Sequence, residues 1–205
     1  MHIKPKWIHA PDIIGEFDIT DFALGFDENG AFHHLNTHWD AMVYFCKTLD
    51  LAQHQAKQAI ERALTEADPQ DAEIQIMLDS DLGSANIADE TLTKTTIFIV
   101  LCSFKEFALK QLWRALKDSR PLPRRRTFGW IKEAFEQKGF WPDSGNPPDH
   151  LSEKAYETVR NNFAHGDWSA LKEELPKLDL YEEFGEVIRF LREIAERMRS
   201  QGFGV

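Results

Sequence analysis

Cysteine is nearly absent from this chain: Cys46 and Cys102 are the only two in 205 residues. Two thiols without further partners exclude a disulfide framework and a cysteine-built zinc cage. No run of about 20 uncharged apolar residues occurs, which excludes a membrane-spanning helix. The opening MHIKPKWIHAPD has no apolar stretch of the signal-peptide kind, so a cytoplasmic setting is expected. Also missing are a Gly-rich phosphate loop, a GxSxG elbow and an HExxH pair. Nothing in the sequence therefore points to an NTPase, a serine hydrolase or a zinc protease, and no cofactor is expected.

Basic residues are scarce overall, 24 against 34 acidic ones for a net charge of −10. An acidic chain repels nucleic acid at long range, so a generic DNA-coating role is excluded. The charge is uneven, however. Residues 104–138 hold 10 basic and 4 acidic side chains, a local +6. The densest part is SRPLPRRRTF, where two prolines break any helix and gather Arg120, Arg124, Arg125 and Arg126 in a loop. Such a cluster suits phosphate oxygens, which forked guanidinium donors grip in pairs. The plainer use is a solvated loop that answers acidic surface elsewhere.

What is abundant is helical periodicity. Residues 1–36 form the exception, an irregular N-terminal segment in which FDITDFALGF and DENG suggest a short hairpin. From Asn36 or Thr37 onward, Trp39, Met42, Val43, Cys46, Leu49, Gln53, Ala56, Ile60, Ala63 and Leu64 recur at three- and four-residue steps. That helix should stop near Ala67, because Asp68-Pro69 follows. Residues 70–88 are ambiguous, with DAEIQIML alternating and DLGSAN reading as a loop.

A second helix is predicted from about Asp89 to Lys117. Its segment Ile97–Phe104 is apolar nearly all round, which marks a central core helix. Further helices are predicted over Thr127–Lys138, over Ser152–His165 with Ser152 as cap and Gly166 as a left-handed stop, and from Tyr181 onward. The expectation is an all-α bundle of four or five helices over residues 37–205.

The chemistry-bearing segment is YETVRNNFAHGDW, residues 156–168. Imidazole moves protons near neutral pH and guanidinium neutralises charge on a phosphate. Together they are a minimal set for cleaving RNA without metal. Spacing alone carries little: with 11 Arg and 8 His in the chain, about one Arg-to-His interval of this size is expected by chance. On an ideal helix, five steps of 100° put Arg160 and His165 about 140° apart. A shared site then needs either a frayed helix end or two copies of the helix facing each other.

In its context, RNNFAHG resembles the Arg-polar-x-x-x-His signature of the HEPN superfamily, in which the motif sits late on a helix of an all-α bundle. The resemblance implies a HEPN-like bundle and a metal-independent endoribonuclease, often a toxin or a defence effector. Arg160 and His165 match the motif, with Asn161 as the polar residue after the arginine. Glu106 in CSFKEFALKQLW matches an acidic position that the family often carries on an earlier core helix. The family builds its cleft between two subunits, so a homodimer is expected, with RNA as substrate and an antitoxin or regulatory protein as a possible partner. The alternative within the resemblance is a non-catalytic module that binds RNA, nucleotide or a protein. A purely structural use would have Arg160 pair with Glu157 or an acid of the last helix, and His165 cap the helix end.

Other groups are weaker. His33, His34 and His38 cluster beside Asp40, but no second half-site accompanies them, and a solvated helix entrance is the expectation rather than a metal site. His9, His54 and His150 are isolated. Cys46 and Cys102 lie on apolar faces, where an inert buried thiol is expected. Trp113, Trp130, Trp141 and Trp168 could stack RNA bases, although aromatics at helical spacing more often build a core.

Overall fold

The computed structural model describes residues 33–116, 127–142, 153–174 and 180–203. The chain is all-α, with no strand among the described residues. The helices are α1 (His33–Glu66), α2 (Ala72–Ile87), α3 (Lys94–Ala115), α4 (Thr127–Gln137), α5 (Glu153–His165), α6 (Trp168–Glu174) and α7 (Leu180–Ser200). One turn of π-helix, Ala88–Thr93, joins α2 to α3 without a break.

Helix α3 is the central one, touching α1, α4, α5 and α7. Ile97, Phe98, Leu101, Cys102, Leu109 and Leu112 are buried along it. From α1, the stripe Leu35, Trp39, Met42, Val43 and Cys46 enters the same core. Helix α7 supplies Phe184, Val187, Leu191, Ile194 and Met198. Trp39 is completely buried, its ring 5.0 Å from Phe104 and 5.7 Å from Phe184. One aromatic side chain thereby joins three helices, tilted against Phe104 and edge-on to Phe184, and aromatic contacts of this kind add to the gain from burial.

Two charged side chains share this interior. Lys105 on α3 and Glu183 on α7 are both buried, and both act on the Cys102 thiol.

The structure departs from the sequence reading in four places. Helix α1 begins at His33, so residues 33–36 are helical rather than part of the irregular segment. The rest of that segment, with its suggested hairpin, lies outside the described residues. Residues 72–87 form a helix, with DLGSAN inside it. Asp71 caps it by accepting from the Ile74 N–H at 3.1 Å, and α1 lies alongside it. Tertiary support of this kind overrides the weak propensity of Gly83 and the two serines.

The third departure concerns Gln53, Ala56, Ile60, Ala63 and Leu64, which continue the apolar rhythm of α1 without entering the core; none is buried. With α2, which buries no residue, they make a two-helix arm. The fourth is α6, a short helix that the sequence reading lacked. No helix among the described residues is long and apolar enough to cross a membrane.

Candidate functional site

Helix α5 is held to the core by one face. Val159 is buried and Phe163 packs against the core cluster. The opposite face carries Glu157, Arg160, Asn161, Ala164 and His165, all exposed. Their positions follow from helix geometry: Glu157, Asn161 and Ala164 run in line at steps of four and three along the outermost ridge. Arg160 flanks that ridge on one side and His165 on the other, with about 140° between them.

The end of α5 is closed by backbone alone. Gly166 takes φ = 68°, and its N–H donates to the Phe163 carbonyl at 3.2 Å, while the Asp167 N–H donates to the Asn162 carbonyl at 2.8 Å. This pair of bonds is the Schellman motif, and it needs a left-handed residue that glycine supplies without a Cβ penalty. Asp167 then starts α6, its carboxylate accepting from the Ala170 N–H at 3.1 Å. Leu171, one turn into α6, is fully buried and anchors the short helix. The helix end is therefore ordered rather than frayed.

Because backbone groups satisfy these carbonyls, His165 has no capping duty. Among the described residues its imidazole makes no hydrogen bond and Arg160 makes no ion pair, with Glu157 or any other acid. The two structural uses open to the motif, an intrachain ion pair and a helix cap, are both absent from the described residues.

Glu106 sits on α3 at the margin of the core. Its carboxylate pairs with Lys110 Nζ at 2.6 Å, one turn along the same helix. No described ion pair or hydrogen bond joins it to Arg160, Asn161 or His165. The structure thus exposes three of the four residues of the suggested centre on the outer side of α5, with Arg160 and His165 on separate flanks, and leaves Glu106 in a pair of its own. Arg120, Arg124, Arg125 and Arg126 lie outside the described residues.

Of the remaining candidates, His38 is exposed and rests 5.1 Å from the Phe107 ring, and His54 Nε2 is 2.9 Å from the Gln58 amide. His9 and His150, and the side chains of His33 and His34, lie outside the described residues. No group of three metal-ligating side chains occurs among the described residues.

The tryptophans divide sharply. Trp113 and Trp141 are buried, and Trp130 stands edge-on to Trp113 at 4.7 Å. Trp168 is 41% exposed, three residues after His165. Helical spacing alone could not separate it from the others, because its exposure follows from the sharp turn at Gly166. Comparison of the chain with family models, with curated proteins and with solved structures finds no match.

Proposed function

We propose that this chain is a HEPN-like, metal-independent endoribonuclease acting in the cytoplasm, of the kind used as a toxin or as an antiviral or stress-defence effector. The observation that carries the reading is the exposed face of α5. There an arginine, an asparagine and a histidine are exposed, with no structural duty among the described residues. Exposed arginine and histidine with free donors fit phosphate charge and proton transfer.

In this reading His165 takes the proton from a ribose 2′-hydroxyl. The 2′-oxygen bonds to the adjacent phosphorus, the bond from phosphorus to the 5′-oxygen breaks, and that oxygen receives a proton. The products are a 2′,3′-cyclic phosphate and a 5′-hydroxyl. Arg160 neutralises charge on the phosphate in the transition state, and Asn161 orients the phosphate or the imidazole. The Schellman closure holds Arg160 and His165 on separate flanks, so the reaction centre forms where two copies of α5 face each other. The small Ala164 on the ridge allows close approach there. The basic segment 120–126 guides RNA, and Glu106 is the weakest member of the set.

The test is incubation of the purified chain with total tRNA and mRNA in EDTA, beside an Arg160→Ala/His165→Ala double variant, with light scattering for mass. Cyclic phosphate ends from a native dimer alone support the reading. RNA bound but uncut by a folded dimer would instead support the non-catalytic binding module, and equal cleavage by both proteins would remove the motif from the mechanism.

A further inference from the structure

We propose that Trp168 is a base-stacking platform, taking an unpaired nucleobase of single-stranded RNA whose neighbouring phosphate is held by Arg160. The proposal rests on the RNA reading of the α5 face and adds a specificity element to it.

Three observations meet at this residue. Trp168 is 41% exposed, whereas the other described tryptophans are buried or packed against one another. A partly exposed tryptophan keeps part of a large aromatic face open to a ligand. Second, the indole is held in place. Its ring stands edge-on to Phe163, with centroids 6.0 Å apart and planes at 81°. It also lies over the Gly166 backbone, where a Cβ would sit 3.9 Å from the Cε2 and Cζ2 atoms. Buried Leu171 and the Asp167 cap fix the helix from which it projects. A ring fixed before its ligand arrives loses little entropy on binding.

The third observation is placement. Phe163 follows Arg160 by three residues, so the two are near neighbours along α5, with Cβ atoms about 5–6 Å apart. The indole rests on Phe163, the residue one turn beyond Arg160 toward the helix end. In the proposal, a base laid on the indole has its sugar and phosphate toward the Arg160 guanidinium. Stacking on an aromatic face with a cation at the backbone is how single strands are held, since a duplex keeps its base faces covered. The adjacent Asp167 carboxylate caps α6 by accepting from the Ala170 N–H.

The experiment uses the full chain and a fluorescent 2′-O-methyl RNA oligonucleotide, which has no free 2′-hydroxyl to react, with binding read by anisotropy. Trp168→Ala is expected to weaken binding by about five- to a hundredfold. Trp168→Phe should stay within about threefold of native. Trp168→Leu, which keeps an apolar contact with Phe163 without a π face, should lose as much as alanine, and a duplex competitor should fail to displace the strand. Circular dichroism and melting identify any variant that has lost its fold.

Equal affinity for the native and leucine proteins, or no binding by the native chain, overturns the proposal. Cleavage of natural RNA is scored separately. Cleavage with no effect of Trp168 removes the platform and leaves the ribonuclease. Trp168-dependent binding without cleavage removes the ribonuclease and leaves the platform.

Discussion

The Asp167 N–H donates to the Asn162 carbonyl at 2.8 Å, and this bond fixes the relation between Arg160 and His165. It ends α5 on a full turn, so the two side chains keep the angular separation of a regular helix. The bond exists because Gly166, between its partners in the turn, has a left-handed backbone.

Gly166→Ala should therefore destabilise the protein by about 1 kcal/mol, since alanine is strained at positive φ. There is room for the methyl group itself, with its nearest neighbours 3.9 Å away in Trp168, so the loss is conformational rather than steric. Urea unfolding should show a lower midpoint with an unchanged slope. An unaltered midpoint would mean that the left-handed turn contributes nothing.

Arg160→Ala and His165→Ala should separate activity from stability. Both side chains are exposed, so each change should move stability by no more than about 0.5 kcal/mol. RNA cleavage should fall by about a hundredfold or more, the usual weight of a proton-transferring or charge-stabilising group. A large drop in melting temperature with either variant would reveal a structural duty and return the motif to the architecture.

The helical class was legible in the apolar periodicity, and the central place of α3 because Ile97–Phe104 is apolar nearly all round, as a helix buried on every side is. The stop after Glu66 and the turn at Gly166 were legible for local reasons, proline in one case and glycine in the other. The arm was not. Ile60 and Leu64 keep the same rhythm whether they face a core or a single neighbouring helix, and periodicity cannot tell these apart. Nor did the sequence mark Lys105 and Glu183 as buried charges, because each sits among other charged residues and meets the interior only through long-range packing. At the candidate site, the placing of Arg160, Asn161 and His165 on the outer side of α5 follows from helix geometry. The exposure of Trp168 required the turn itself.

The core and the arm should respond differently to truncation. Trp39→Ala removes a fully buried ring between Phe104 and Phe184, and a loss of about 3–5 kcal/mol is expected. Ile76, on the outer side of α2, is 70% exposed, and Ile76→Ala should change stability by no more than about 0.5 kcal/mol. Denaturant titration of the two variants checks both figures. A strong effect at Ile76 would show that the arm is covered in solution.

The thiols give a pH signature. Burial pushes both Cys46 and Cys102 up to about 12, so each is neutral in the native protein over the whole neutral range. In the unfolded chain a thiol ionises near pH 8.5. Above that value the unfolded state releases a proton that the native state still holds, so stability falls as pH rises. The decline should run from about pH 9 toward 12, at about 1.4 kcal/mol per pH unit for each thiol, and be absent below pH 8. Cys46→Ala and Cys102→Ala should each make the alkaline slope shallower than that of the native protein. The difference isolates the thiol from other groups that titrate there. Iodoacetamide at pH 8 should leave both cysteines unlabelled until denaturant is added, because only the exposed thiolate reacts. Rapid labelling of the folded protein at pH 8 would contradict the burial that produces both effects.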